Sequence, residues 1–303
     1  MTVFIIIFLV SLAVLLFASD KFVESAENVG LALGIPSFIV GVTIVAVGTS
    51  LPELATSIAA ILSGTSEIVV GNVVGSNITN ILLVIGATAV IGKGIKLDYD
   101  VWNVEMTKLL ASAFILYFML SDGTFSKFEA LIMLAALVLF LANSFSVKSE
   151  EEEEKPKLKK IDFLILIVAS VFIFLGAKYT IYGMENIAAA FNIPPHIIAI
   201  TAVALGTSLP EVVVSITAAR RGKHAMAVGN VIGSNIFNTY AVMGISGLLA
   251  NLTIPADTIS ESIPFMMAIT ILFAVSCLTK TITKYEGWLF LLIYIFFIGI
   301  AIQ

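Results

Sequence analysis

Long apolar runs separated by short polar segments fill almost the whole chain. A helix that crosses a bilayer needs about 20 mostly apolar residues, and ten runs come near that length. The first set comprises Val3–Asn28, Ser37–Leu62, Ile68–Ile91, Val104–Leu120 and Phe128–Phe145, and the second comprises Phe163–Ile187, His196–Ala219, Ala225–Leu249, Ile263–Leu278 and Tyr285–Ile302. The pattern predicts an all-α polytopic membrane protein with ten transmembrane helices. The first run has no Lys or Arg before Phe17, so it predicts a retained span rather than a cleaved signal peptide.

The two sets of runs are copies of each other. Adding 158 to a position in the first set places Glu27 on Glu185 and Glu53 on Glu211, and no gap is needed across the matched stretch. Each copy holds five runs, an odd number, so the second copy must cross the membrane in the opposite direction. The prediction is therefore two inverted five-helix repeats, a plan in which secondary transporters place their site at the repeat interface.

A charged segment separates the two copies. Lys148–Lys160 contains the acidic run Glu150–Glu154 followed by four lysines, a composition typical of a solvated linker. The predicted organisation is a first five-helix repeat at residues 1–147, a charged linker at 148–161 and a second, inverted repeat at 162–303. The composition agrees with this class, because the hydrophobic fraction of 59% is higher, and the charged fraction of 12% lower, than a soluble globular domain needs.

The positive charges between the runs predict an orientation. On the linker side the loops carry 12 Lys and Arg residues, whereas the loops of the other side carry Lys127 alone. Short cytoplasmic loops are enriched in Lys and Arg. The linker is therefore predicted to be cytoplasmic, and both termini are predicted to lie outside a cell membrane.

The motif GTSLPE occurs twice, at Gly48–Glu53 and Gly206–Glu211, each time within an apolar run. A Glu at this depth costs roughly 2.5–3.5 kcal/mol or more, so it persists only where it is compensated. Pro52 and Pro210 break a helix and leave carbonyl groups without partners. We expect freed oxygens near Ala46–Thr49 and 204–207, because broken backbone at this depth lines a buried or water-filled cavity.

A second motif follows each Glu, as GNVVGSNITN at Gly71–Asn80 and GNVIGSNIFN at Gly229–Asn238. Its Asn, Ser and Asn side chains are spaced four residues apart and share one helix face. Its two glycines form a GxxxG ridge, which predicts a close approach between helices. The amides could simply join helices to each other. Their occurrence twice, each time beside a buried Glu and a broken helix, favours a site.

Carboxylates, hydroxyls, amides and carbonyls are ligands for hard cations, and two negative charges with six to eight oxygens suit Ca²⁺. Na⁺ or H⁺ can neutralise the same carboxylates, so competition for them predicts antiport. A membrane transporter of this kind needs no cofactor, nucleic acid or obligate protein partner, and it is not an enzyme. Two other classes use similar groups. An intramembrane protease would use Asp rather than Glu beside proline, and a calcium channel would pass Ca²⁺ without a coupling ion.

The paired GTSLPE and GNVxGSN motifs resemble the alpha-repeats of the cation/calcium antiporter superfamily, particularly the prokaryotic sodium/calcium exchangers. The resemblance implies that the first and sixth helices slide against an eight-helix body. Many of these exchangers have an acid where this chain has Asn80 or Asn238, and that difference leaves a proton/calcium exchanger as the alternative. The ligands that the resemblance implies are Ala46, Thr49, Ser50, Glu53, Ser76, Asn80, Ala204, Thr207, Ser208, Glu211, Ser234 and Asn238.

Charged residues also lie in the first and sixth runs, at Asp20, Lys21, Glu24 and Glu27 and at Lys178 and Glu185. Such residues usually form interfacial pairs at a membrane surface. The alternative is a role in ion entry, and the sequence leaves both open.

Overall fold

The computed structural model describes residues 1–97, 105–146, 159–191 and 206–301, and most of these residues are helical. The helices are α1 (Thr2–Leu33), α2 (Ser37–Leu62), α3 (Glu67–Ile91), α4 (Thr107–Leu120), α5 (Lys127–Ser146), α6 (Lys160–Ala190), α7 (Leu209–Arg220), α8 (residues 224–249), α9 (Thr258–Thr279) and α10 (Lys284–Ala301). Of these, α1, α2, α3, α5, α6 and α9 are each long and apolar enough to cross a membrane. The architecture agrees with the prediction of a helical multi-pass membrane protein.

Most helices begin and end within a few residues of the predicted runs. Helix α1 continues past Asn28 to Leu33 and ends at Gly34, whose φ of 69° is a left-handed conformation that glycine adopts without strain. Helix α6 begins at Lys160, so the last residues of the predicted linker are helical instead. Residues 148–158 of the predicted linker and residues 196–205 of the run His196–Ala219 lie outside the described residues.

Helix α2 is interrupted at the first GTSLPE motif. Ser50 has φ −89° and ψ 6°, and the second part of the helix begins at Leu51 with Pro52 in its first turn. Because proline has no N–H, the Gly48 carbonyl loses its helical partner. The second motif behaves in the same way, since Ser208 has φ −87° and ψ 0° immediately before α7. The predicted break is therefore present in both copies.

Two short antiparallel ribbons join the halves of the chain. Strand β1 (Ile95–Lys96) pairs with β4 (Thr281–Ile282), and β2 (Thr124–Phe125) pairs with β3 (Leu252–Thr253). Adding 157 to the residue numbers of β1 and β2 gives those of β3 and β4. The two ribbons are therefore equivalent pairings, each with one strand from either copy. The repetition extends beyond the stretch that the motifs mark.

Helices α2 and α8 approach each other closely at glycines. A Cβ built on Gly229 would contact the Phe38 carbonyl oxygen, and one built on Gly233 would contact the Val42 carbonyl oxygen. These contacts confirm the predicted close approach for the second GxxxG ridge. Helix α8 thereby brings the GNVIGSN motif against the broken helix of the other copy.

The long helices α1 and α6 run antiparallel and pack along most of their lengths. Gly176 of α6 lies against Leu15, and Gly183 lies against Phe8. Thr180 donates a hydrogen bond to Ser11 at 3.0 Å between these two contacts. Small residues of α6 therefore face the backbone of α1 along this interface.

Candidate functional site

Glu53 and Glu211 each follow a helix break, and neither side chain is exposed. Each is the third residue of its helical segment, where backbone N–H groups favour a negative charge. Ser50 donates a hydrogen bond to Glu211 Oε1 at 3.1 Å. A residue of the first break thus contacts the carboxylate of the second, and the two motifs meet.

The hydroxyls of the first motif contact the amide and hydroxyl groups of the second. Thr49 Oγ1 lies 3.1 Å from Asn230 Oδ1 and 3.4 Å from Ser234 Oγ. The same contacts occur with the two copies exchanged, between the second GTSLPE motif and the first GNVVGSN motif. Thr207 Oγ1 lies 3.2 Å from Ser76 Oγ and 3.5 Å from Asn72 Oδ1. Helix α8 is therefore built against the first break, and helix α3 against the second.

Two serines that the motif analysis missed orient these amides. Asn72 Nδ2 donates to Ser57 Oγ at 3.0 Å, and Asn230 Nδ2 donates to Ser215 Oγ at 2.9 Å. Asn72 also donates to the Glu53 carbonyl oxygen at 3.1 Å. The signal that could have revealed the serines is their spacing, because each lies four residues after its Glu and they are 158 residues apart.

The last asparagines of the motifs are each held by an asparagine of the other copy. Asn80 Nδ2 donates to Asn235 Oδ1 at 3.0 Å, and Asn238 Nδ2 donates to Asn77 Oδ1 at 3.3 Å. Both Asn80 and Asn238 begin a π-helical segment and are fully buried. Such segments occur frequently at functional sites. With their nitrogens engaged, the two amides keep their oxygens free.

Six buried oxygens of the motif residues have no hydrogen-bond partner among the described residues. They are Glu53 Oε1 and Oε2, Glu211 Oε2, Asn80 Oδ1, Asn238 Oδ1 and Ser208 Oγ. Leaving a buried polar atom unpaired costs about 1–3 kcal/mol, and more when the group is charged. A set of unpaired oxygens on residues of both motifs is the arrangement expected of a cation site.

Another buried carboxylate shows how the protein treats a structural charge. Glu105 is fully buried, and its Oε1 accepts hydrogen bonds from Lys108 at 2.8 Å and from Ser144 at 3.2 Å, whereas its Oε2 has no partner among the described residues. No Lys or Arg makes an ion pair with Glu53 or Glu211 in the part of the chain that the structure describes. The two motif carboxylates are therefore buried without a basic partner.

Most of the predicted site residues are brought together. The hydrogen bonds above join Thr49, Ser50, Ser76, Asn80, Thr207, Glu211, Ser234 and Asn238 across the two copies, and Asn72 joins the Glu53 backbone to Thr207. Ser208 is buried, and Ala204 lies outside the described residues.

The expectation for Ala46 needs a correction. Its carbonyl is not freed by the break, because it accepts hydrogen bonds from Ser50 N at 3.0 Å and from Thr49 Oγ1 at 3.3 Å. The bond from Ser50 N to the Ala46 carbonyl is an ordinary helical bond between residues four apart. Pro52 removes only the bond that its own N–H would have made to the Gly48 carbonyl.

A cavity of about 510 Å³ reaches the second motif between α2, α6 and α7. Its lining includes Gly206, Thr207 and Pro210 together with the charged residues Lys178 and Glu185. Of the two interpretations of the charged residues in α6, this position favours a role in ion entry.

The charged residues of α1 instead form ion pairs with the end of α7. Arg221 Nη2 lies 2.6 Å from Asp20 Oδ2 and 3.5 Å from Glu24 Oε2, and Lys223 pairs with Glu27. The predicted pairing of these charges is present, and their position at a membrane surface stays a prediction. The equivalents of Arg221 and Lys223 in the first copy are Ser63 and Thr65, so this cluster has no counterpart in the other copy.

The sequence matches a family described as sodium/calcium exchanger protein over residues 3–146 and 161–303. It is 32% identical to the sodium/calcium exchanger MaX1 of Methanosarcina acetivorans, with 98% of each chain covered. It is also 32% identical to the putative antiporter CaxA of Alkalimonas amylolytica, with 97% of each chain covered.

Solved structures of the sodium-calcium exchanger NCX_Mj have the same fold. The structure soaked with zero Na⁺ and Ca²⁺ superposes with a TM-score of 0.87 at 30% identity, covering 99% of this chain and 100% of that one. The structure soaked with 10 mM Na⁺ and zero Ca²⁺ gives a TM-score of 0.86 at 30% identity, covering 99% of each chain.

Proposed function

This chain belongs to the sodium/calcium exchanger protein family, and on that basis we propose that it exchanges Ca²⁺ for Na⁺ across the cell membrane by alternating access. Both ions compete for one site between Glu53 and Glu211. The observation that carries this proposal is the set of six unpaired buried oxygens. A bound cation supplies the partner that these oxygens lack, and its charge offsets two carboxylates that have no Lys or Arg beside them among the described residues.

The proposed ligands are the residues that contribute these oxygens, with Thr49, Ser50, Ser76, Thr207 and Ser234 beside them. Ala204 is the second-copy equivalent of Ala46, and both are proposed through their carbonyl groups. For Ala46, the Thr49 hydroxyl must first turn towards another acceptor, and Asn230 Oδ1 at 3.1 Å is available. The ligand set is then composed of oxygen alone, which suits Ca²⁺ and Na⁺.

The charge of the proposed site limits the coupling ion. Asn80 and Asn238 are neutral, so the two glutamates provide a charge of at most −2. One Ca²⁺, two Na⁺ or two protons each neutralise that charge. Protons need only the carboxylates, whereas Na⁺ also uses the neutral oxygens, and the free amide oxygens therefore favour Na⁺. The absence of a third acid at these two positions keeps H⁺/Ca²⁺ exchange as the second candidate.

The proposed architecture is two inverted repeats of five transmembrane helices, α1–α5 and α6–α10, joined by a cytoplasmic linker with both termini outside. The hydrogen bonds between the motifs support it, since the contacts of Thr49 and Asn80 with the second copy have equivalents at Thr207 and Asn238 with the first. Helices α1 and α6 form the moving pair. The cavity beside Thr207 and Glu185 opens towards the site on the outer side in this orientation.

The deciding experiment measures ⁴⁵Ca²⁺ uptake by proteoliposomes at symmetric pH. Vesicles loaded with Na⁺ are diluted into choline medium and compared with vesicles loaded with choline. We expect uptake that depends on the outward Na⁺ gradient. A pH gradient in the absence of Na⁺ forms the third condition.

Equal uptake from Na⁺-loaded and choline-loaded vesicles, together with uptake driven by the pH gradient, would make the protein a proton/calcium exchanger. Uptake that needs no gradient of a second ion would identify a channel.

A further inference from the structure

We propose that Lys178 is a specificity-determining residue of the ion entrance, and that its charge weakens the binding of Ca²⁺ more than the binding of Na⁺. The inference rests on the proposed function and deepens it, because it concerns the route by which both ions reach the same site. Lys178 is not among the proposed ligands. It acts on the ions from the wall of the cavity of about 510 Å³ between α2, α6 and α7, which we call the outer cavity.

The position of Lys178 in the outer cavity follows from the direction of α6. Lys178 and Glu185 are seven residues apart, which is two helical turns, so they lie on one face of the helix about 10 Å apart along its axis. Helix α6 begins at the linker end, so Glu185 lies nearer the outer end and Lys178 lies deeper. Thr207 and Pro210 of the second motif also line the cavity. An ion that enters from the outer end therefore passes Glu185 first and Lys178 second.

Lys178 has no acidic partner among the described residues. Neither Lys178 nor Glu185 forms an ion pair there, and these two are the charged side chains in the described part of the lining. Acidic side chains are the usual charged groups along a pathway for cations. A lysine at this point instead opposes the ions that the site binds.

The repeat shows that Lys178 is a reversal of charge. Its equivalent in the first copy is Asp20, whereas Glu185 corresponds to Glu27. The first copy thus has two acids at these positions, and the second copy has one acid and one base. In the proposed inverted architecture the entrances on the two sides therefore differ in sign at one equivalent position.

A fixed charge acts on a cation in proportion to the charge of that cation. Lys178 thus opposes one Ca²⁺ with twice the free energy with which it opposes one Na⁺. A space of about 510 Å³ is about 10 Å across, and two unit charges at that separation in water change a binding constant about twofold. The change for Ca²⁺ is the square of this factor, about fourfold. Loss of the lysine charge therefore favours Ca²⁺ over Na⁺.

Substitutions of Lys178 separate the effect of charge from the effect of shape. Lys178→Gln removes the charge, Lys178→Glu reverses it and Lys178→Arg retains it. Lys160→Gln is the matched control, since Lys160 is exposed at the linker end of the same helix. Glu185→Gln removes an acid from the same lining, so its effect has the opposite sign.

The first measurement is the dissociation constant of Ca²⁺ and of Na⁺, each obtained from the rise in unfolding temperature of the purified protein with ion concentration. Choline keeps the ionic strength low and constant. We expect Lys178→Gln to lower the constant about fourfold for Ca²⁺ and about twofold for Na⁺, and Lys178→Glu to lower each by the square of its factor. Lys178→Arg matches the wild type, and Glu185→Gln raises both constants. More choline reduces these differences by screening.

Equal fold-changes for Ca²⁺ and Na⁺ would overturn the proposal, and so would equal effects of Lys178→Gln and Lys178→Arg. Either result would assign the change to shape rather than to charge. An effect of Lys160→Gln as large as that of Lys178→Gln would show a general effect of net charge and would also overturn it.

The second measurement is Na⁺-driven ⁴⁵Ca²⁺ uptake in vesicles of known orientation. We expect Lys178→Gln to lower the KM for Ca²⁺ measured from the side of the outer cavity, with no fall in the KM measured from the linker side. A wild-type protein that shows no exchange would refute the proposed function, and the two dissociation constants would still decide the role of Lys178. A wild-type protein that binds neither ion would overturn both proposals.

Discussion

At the scale of single residues, the two buried glutamates are set apart by what surrounds them. Among the described residues, Glu105 is the one other fully buried acid, and its Oε1 lies 2.8 Å from Lys108 Nζ. Glu53 and Glu211 have hydroxyls and amides instead. This contrast is the reason to treat them as the charges that a transported cation neutralises.

We predict that Glu53→Gln or Glu211→Gln abolishes Ca²⁺ exchange while the protein still folds. Breaking a buried pair of charges costs about 3–5 kcal/mol, which corresponds to at least a hundredfold loss of Ca²⁺ affinity. Glu67→Gln is the matched control, because Glu67 is exposed in the first turn of α3. Uptake in proteoliposomes and thermal unfolding are measured together. Normal uptake by either variant would remove that carboxylate from the proposed site.

The sequence motifs predicted the face that Asn72, Ser76 and Asn80 share, because spacing of four residues is a property of one helix. They did not indicate Ser57, Ser215, Asn77 or Asn235. These residues make side-chain contacts with elements that lie far apart in sequence. A Ser or Asn that occurs in both copies could equally serve helix packing, so the sequence does not reveal which role it has. The orientation of an amide is likewise visible only once its partners are placed.

At the scale of helices, run length was sufficient to place most of the elements. The break in α2 was also predictable, since proline removes a backbone donor wherever it lies. The π-helical segments at Asn80–Ile85 and Asn238–Val242 were not. A π-helical segment adds a residue to a turn, and the residue types in these two segments do not require it. Each segment begins at an asparagine that is hydrogen-bonded to the opposite copy.

The close approach of α8 to α2 provides a test of how tightly the site is held. In Gly233→Ala the new methyl group would contact the Val42 carbonyl and the Ala46 side chain, so the helices must separate where Thr49 meets Ser234. We predict a loss of about 1–3 kcal/mol in unfolding free energy, as for other overpacked interiors, and a raised KM for Ca²⁺.

Gly299→Ala is the control for this substitution, because a Cβ at Gly299 has no atom of the described residues within 4 Å. Denaturant unfolding and uptake are measured for both variants. A Gly233→Ala protein that is as stable as Gly299→Ala, with unchanged KM, would show that the two helices tolerate separation at this point.

At the scale of the whole molecule, the ion pairs between α1 and the end of α7 hold one face of the protein together. The equivalent residues of the other copy, Ser63 and Thr65, carry no charge. Under the proposed alternating access, this asymmetry stabilises the state that is closed on the linker side. Each exposed pair contributes only about 0.2–1 kcal/mol, which is enough to change the population of two states a few-fold.

We predict that Arg221→Gln lowers the KM for Ca²⁺ measured from the linker side about two- to fivefold, since the open state on that side becomes more populated. The KM measured from the other side should not fall. Arg220→Gln is the control, because Arg220 is exposed and adjacent in sequence. Vesicles of known orientation separate the two measurements. Equal effects of the two substitutions would indicate a general charge effect on Ca²⁺ binding.

The paired strands β1–β4 and β2–β3 have a mechanical consequence. Each ribbon ties a loop of one copy to a loop of the other, and neither includes a residue of α1 or α6. Separation of the two copies as rigid halves would break both ribbons. The proposed movement of α1 and α6 against the other helices would leave both ribbons intact.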